Sequence, residues 1–113
     1  MATRTRRART QRGGTYRVGK SSIHGVGIIA KRDFSPNEKI FKAIEANKKI
    51  TPIGRKINHC PIESQQMNTI LVKEADGWWI VGSRRIKKGE ELTLDYNTTP
   101  DFIAKANPAW KCS

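Results

Sequence analysis

The chain has 113 residues and carries 22 lysines and arginines against 10 acids, a net charge of +12. That length predicts one domain with a modest core and leaves little room for the sheet behind a complete dinucleotide site. No apolar run approaches a membrane span, no apolar stretch follows the first arginines as in a secretory signal, and two cysteines, Cys60 and Cys112, make neither a disulfide scaffold nor a four-cysteine zinc site.

Residues 1–14, "MATRTRRARTQRGG", hold Arg4, Arg6, Arg7, Arg9 and Arg12 with no acid and almost no apolar residue. Such a segment buries too little surface to order itself, so it reads as a flexible basic arm hinged at Gly13-Gly14. Its chemistry favours a polyanion, nucleic acid first, through salt-dependent attraction that ignores sequence. A solvated or localising tail is the alternative. Residues 15–113 form the expected domain.

"TYRVGKSS" offers a short strand. "IHGVGIIAKRDF", residues 23–34, contains Gly25, Gly27 and Ala30 in the order G-x-G-x-x-A. A phosphate loop needs a helix next, yet Gly27, β-branched Ile28 and Ile29, and Pro36 make a poor one. Val26, Ile28 and Ile29 suit a strand, and glycines within a strand mark a bulge or a close backbone approach to a ligand. "KIFKA", 39–43, predicts a strand after the "SPNE" turn, where Asn37 tolerates the left-handed conformation. "NTILVK", 68–73, and "WWIVGS", 78–83, flank "EADG" as a hairpin with its turn at Gly77. Trp78 and Trp79 are adjacent and should face opposite sides, one core and one surface. "IKKGEELTL", 86–94, predicts a turn at Gly89 and a strand. "PDFIAKA", 100–106, opens on a proline that suits a helix start and predicts one or two helical turns. No internal repeat is visible, and the spacing of short strands predicts a mainly β domain.

Three of these stretches line up: "SSIHGVGIIAKRDFSPNEKI", "GRKINHC" and "SRRIKKGEELTLDYN". Together they closely resemble the SET domain, the fold of many S-adenosylmethionine-dependent protein-lysine methyltransferases. They resemble, in turn, the family's N-terminal glycine motif, its Arg-x-x-Asn-His signature and its closing Gly-Glu-Glu-Leu-Thr-x-Asp-Tyr motif. The resemblance implies a mainly β fold of the β-clip type: small curved sheets, with the Asn-His and Asp-Tyr segments meeting in a knot-like crossing. It implies that Gly25 and Gly27 let the backbone approach the methyl donor, that Asn58 and His59 hold that donor, and that Tyr96 is the active-site tyrosine. Arg55 takes the family's structural arginine position. "WKC" resembles the start of the family's C-terminal flap, so Trp110 would stack on the donor's adenine.

The implied function is methyl transfer from S-adenosylmethionine to a lysine side chain of a protein, in an intracellular setting, cytoplasmic or nuclear, with no metal and no membrane. The lysine must lose a proton before it attacks, which burial and a nearby cation favour, and the tyrosine hydroxyl then positions the amine. A non-catalytic SET-like module that binds nucleic acid or a nucleoprotein is the runner-up. The chain departs from the family pattern in three places. Residues 41–53 are a short insert without tyrosine, the serine after Asn-His is missing, and Asn68 is displaced along "NHCPIESQQMN".

Overall fold

The computed structural model of the chain describes residues 15–103 and 105. Seven strands follow one another: β1 (Tyr16–Lys20), β2 (Val26–Ala30), β3 (Lys39–Glu45), β4 (Asn58–His59), β5 (Thr69–Glu74), β6 (Gly77–Gly82) and β7 (Glu91–Leu94). Three-residue 3-10 turns sit at Gly54–Lys56 and Tyr96–Thr98. The strands run β1-β2-β7-β5-β6-β3 across a mixed sheet, and β4 pairs with β7 off that path. The mainly β expectation therefore holds.

Local chemistry accounts for the strands. β2 has Ile28 and Ile29 buried behind Gly27, and it pairs antiparallel with both β1 and β7. β5 and β6 form the hairpin expected at "EADG", with Gly77 at φ 137 where a Cβ would meet the Ile44 carbonyl oxygen at 2.2 Å. Ile28, Phe34, Ile80, Ile86 and Leu92 are all within a few per cent of full burial and form one core. Trp78 packs on that core and meets Phe102 edge-on at 5.3 Å. Its neighbour Trp79 turns outward, donates Nε1–H to Asp76 at 3.0 Å and lies under the Lys39 ammonium.

One reading is met at its shorter length and one needs correction. Of the one or two turns expected over 100–106, the described residues show a single turn, in which the Ile103 N–H reaches the Pro100 carbonyl at 3.0 Å. The chain also contains an internal repeat. Residues 31–40 and 83–92 follow the same sequence of conformations and pack against each other about a local twofold. Phe34 and Ile86 exchange backbone hydrogen bonds at 2.8 and 2.9 Å. Asn37 N–H reaches the Gly82 carbonyl and Gly89 N–H the Ala30 carbonyl, both at 2.8 Å. Glu38 caps the N–H of Ser35, and Glu90 that of Lys87. Asn37 (φ 69) and Gly89 (φ 94) fill the left-handed corner of each turn. The repeat is invisible by eye because only Arg32/Arg84 and Glu38/Glu90 are identical. Backbone geometry asks for an apolar residue at 34/86 and a left-handed one at 37/89, and different residues meet each demand.

The short insert at 41–53 completes β3 and folds back tightly, with Glu45 N–H bonded to the Lys49 carbonyl at 2.8 Å and Ile50 bridging Ile44. β4 pairs parallel to β7, Asn58 opposite Thr93 and His59 opposite Leu94. The Asn-His and Asp-Tyr segments thus lie side by side. Cys60 follows, fully buried.

Candidate functional site

The turn between β1 and β2 is set by Ser21, whose Oγ accepts the N–H of Ile23 at 2.8 Å and of His24 at 3.1 Å. The Asn58 carboxamide reaches this turn from β4. Its Nδ2 lies 3.0 Å from Ser21 Oγ, 3.1 Å from the His24 carbonyl, 3.0 Å from the Val26 carbonyl and 2.8 Å from Glu91 Oε2. All four neighbours accept hydrogen bonds, so the nitrogen faces them. The Glu91 carboxylate also accepts from the Ser21 hydroxyl at 2.9 Å. Ser21, Asn58 and Glu91 therefore tie the turn, β4 and β7 into one polar knot.

The two glycines do different work in this knot. A Cβ on Gly27 would sit 2.2 Å from Glu91 Oε2 and 3.1 Å from Asn58 Nδ2. Gly27 thus makes room for the protein's own carboxylate. Gly25 has φ 53, and a Cβ there would meet nothing within 4 Å. Its face of the turn is open.

His59 points the other way, as the next residue of a strand must. It is buried, and its Nδ1 accepts the backbone N–H of Tyr96 at 3.0 Å. Its ring meets the Tyr96 ring at a centroid distance of 5.2 Å, edge to face. The Tyr96 hydroxyl donates to the carbonyl of Ile57. Tyr96 is therefore clamped at both ends by the residues on either side of Asn58. Burial pushes its hydroxyl above the usual phenol range, so it stays protonated. Asp95 caps the following 3-10 turn by accepting from Asn97 N–H at 2.9 Å and holds the Ile62 N–H at 2.8 Å.

Two cavities flank these groups. One of about 260 Å³ is lined mostly by apolar side chains, among them Ile44, Ile50, Ile57, Leu71 and Leu94, with Tyr96 in its wall. Ile44 and Ile50 come from the short insert, so that insert supplies a wall without a tyrosine. Arg55 also lines it, from the first 3-10 turn. The second, about 390 Å³, is polar and includes Ser22, Asn68, Arg84, Glu90, Glu91 and Thr93 in its lining.

Asn68 is buried. Its Nδ2 donates to the Glu91 carbonyl at 2.9 Å and its Oδ1 accepts the Thr93 N–H at 2.8 Å. It acts as a strand substitute beside β7. The sequence pattern singled out neither Ser21 nor Glu91 as site residues and treated Asn68 only as a displaced asparagine; Glu91 lies inside the closing motif, which was the available signal.

The structure thus brings Gly25, Gly27 and Asn58 to one locus and His59 and Tyr96 to a second, back to back across β4. Trp110, Cys112 and the five arm arginines lie outside the described residues. Among the described residues no cluster of His, Cys, Asp and Glu is placed to hold a metal ion, and no helix is long and apolar enough to cross a membrane.

The family model for the SET domain matches residues 43–97. The span takes in Asn58, His59 and Tyr96, while Gly25 and Gly27 precede it. No curated protein matches the chain. The SET domain is a methyltransferase-type family whose members generally use S-adenosylmethionine.

Proposed function

We propose, from the premise that this chain is a member of the SET domain family, that it is a protein-lysine N-methyltransferase using S-adenosylmethionine. The observation that carries the reading is the double clamp on Tyr96. A neutral phenol, held by His59 at its backbone and by the Ile57 carbonyl at its hydroxyl, stands in the wall of an apolar pocket.

The residues present fit the donor chemically. S-adenosylmethionine pairs a cationic sulfonium with a zwitterionic amino-acid end, and the polar cavity offers Arg84 alongside Glu90 and Glu91. Its size falls within the range of small-molecule sites, roughly 300–1,000 Å³. The open face of Gly25, in the turn that Ser21 and Asn58 fix, gives an adenosyl or methionyl group a backbone to lie against. When bound, the donor supplies an electrophilic methyl group.

The chain's own residues do the rest. The walls from Ile44, Ile50, Ile57 and Leu71 exclude water from a lysine stem and disfavour its charged form. The Tyr96 oxygen and the Ile57 carbonyl orient the neutral amine. Because its hydroxyl stays protonated, Tyr96 works by position rather than as a base.

A second reading, a non-catalytic SET-like module on a nucleic acid or nucleoprotein, has its own observation. The Asn58 nitrogen and the Gly27 face are already occupied by Glu91 and by the 21–26 turn. A methyl-transfer assay with labelled donor against a cell lysate, with and without nucleic acid, separates the two. Label in protein lysine supports the enzyme. Absence of label, together with absence of donor binding in calorimetry, supports the second reading.

A further inference from the structure

The internal repeat sets two backbone ribbons of equal shape side by side, and their charges differ. In the first, Asp33, Ser35 and Pro36 occupy the positions that Arg85, Lys87 and Lys88 occupy in the second. The same turn is thus built without any base at these positions, so the fold does not require the three cations. They are a property of this chain's surface.

Pairing of the ribbons collects six bases. Lys31 and Arg32 stand opposite Lys87 and Lys88, with Arg84 and Arg85 adjoining, because Phe34 pairs with Ile86 and Gly89 N–H bonds the Ala30 carbonyl. All but Arg84 are exposed, and Arg84 is half-exposed. The acids in the patch are committed: Asp33 to Arg85 at 3.0 Å, Glu38 to Arg32 at 2.6 Å and Glu90 to Arg84 at 3.4 Å. Asp33 also accepts the Lys88 N–H, and Glu90 that of Lys87, so the backbone bearing both lysines is held in place. Among the described residues Lys31, Lys87 and Lys88 make no ion pair.

Thr15, the first described residue, meets the fold at this patch. The carbonyl of Thr15 accepts the N–H of Lys31 at 2.9 Å, and Arg4, Arg6, Arg7, Arg9 and Arg12 precede it.

We propose that this ribbon pair is a docking surface for the phosphodiester backbone of nucleic acid. Closely spaced cations on a held backbone, three of them in ion pairs and Lys31, Lys87 and Lys88 outside any, suit a line of phosphates, and no base-reading is implied. Lys31, Lys87 and Lys88 line neither the pocket beside Tyr96 nor the polar cavity, which shares only Arg84 and Glu90 with the patch, and the inference stands whether or not the chain transfers methyl groups.

The test compares two triple variants of the full chain by anisotropy of a short fluorescent duplex DNA and an RNA of equal length, between about 50 and 200 mM salt. One is Lys31→Gln with Lys87→Gln and Lys88→Gln. The other, a control of equal charge change, is Lys48→Gln with Lys49→Gln and Lys56→Gln. All six lysines are exposed, and circular dichroism checks that both variants keep the wild-type fold. The patch variant should bind more weakly, with a salt slope shallower by about 0.9 for each duplex phosphate it no longer neutralises. The control should stay near wild type. Equal affinity and slope in the patch variant and wild type overturn the proposal, as does an equal loss in both variants. So does a patch variant that loses binding to phosphatidylserine vesicles but not to nucleic acid.

Discussion

Tyr96 donates its backbone N–H to Nδ1 of His59 at 3.0 Å, in a pair of residues brought together by the parallel pairing of β4 with β7. The acceptor must be an unprotonated ring nitrogen, so in the neutral ring the proton sits on Nε2. His59 thereby fixes the backbone from which the Tyr96 hydroxyl is aimed.

His59→Ala leaves the Tyr96 N–H without this acceptor and opens a cavity under the ring. An unsatisfied buried donor costs about 1–3 kcal/mol. Urea denaturation should show a loss of at least that size, with reduced methyl transfer at temperatures where the variant is folded. Stability equal to wild type would show that the bond does not hold the crossing.

Gly27 and Gly25 should respond differently to alanine. At Gly27 the new Cβ overlaps the Glu91 carboxylate, so Gly27→Ala should break the Ser21–Asn58–Glu91 knot and weaken donor binding. Adding Glu91→Ala should recover part of the lost stability, a coupling that a double-mutant cycle reads directly. At Gly25 the penalty is conformational alone, about 1–2 kcal/mol for the left-handed backbone. Additive effects of Gly27→Ala and Glu91→Ala would sink the steric account.

Tyr96→Phe keeps the ring packing against His59 and removes the hydroxyl. Misplacing a reacting group typically costs about 10²-fold, so turnover should fall by that order while donor affinity, read by calorimetry, changes little. If wild type and variant transfer methyl equally well, Tyr96 has no positioning role.

Tyr96 also sets an alkaline limit. Burial raises its hydroxyl pKa above the ordinary value. The stability this contributes is complete below the unfolded tyrosine pKa of about 10 and is lost as pH rises through the higher folded value. Wild type should therefore lose stability above about pH 10 more steeply than Tyr96→Phe. Parallel decline of the two in alkaline melts would contradict the burial.

Much of the secondary structure was legible because its causes are local. β2 follows from β-branched residues, the β5–β6 hairpin from Gly77, and the left-handed Asn37 from its side chain. The convergence of Asn58 on the glycine turn was also readable, but only through the motif resemblance. The Glu91 carboxylate beneath Gly27 was not, since a glutamate in a strand gives no hint of what faces it. The repeat of 31–40 in 83–92 stayed hidden because Asn37 and Gly89 solve one backbone problem with different side chains. The proline at 100 pointed to one or two turns, and a single one forms among the described residues.

β7 joins β2, β4 and β5 and supplies Glu91 to a knot that begins at Ser21. Almost everything that closes the domain therefore waits on one short strand late in the chain. During synthesis the β1–β2 and β5–β6 hairpins can form from neighbouring residues, yet neither has its central partner until the residues of β7 have left the ribosome. Such distant pairings cost loop entropy before they return any binding, which places this small protein with the slower, millisecond-to-second folders despite its size. Until then the apolar faces of both hairpins stay uncovered, and the two ribbons of the repeat, which complete each other, are each a half without its counterpart.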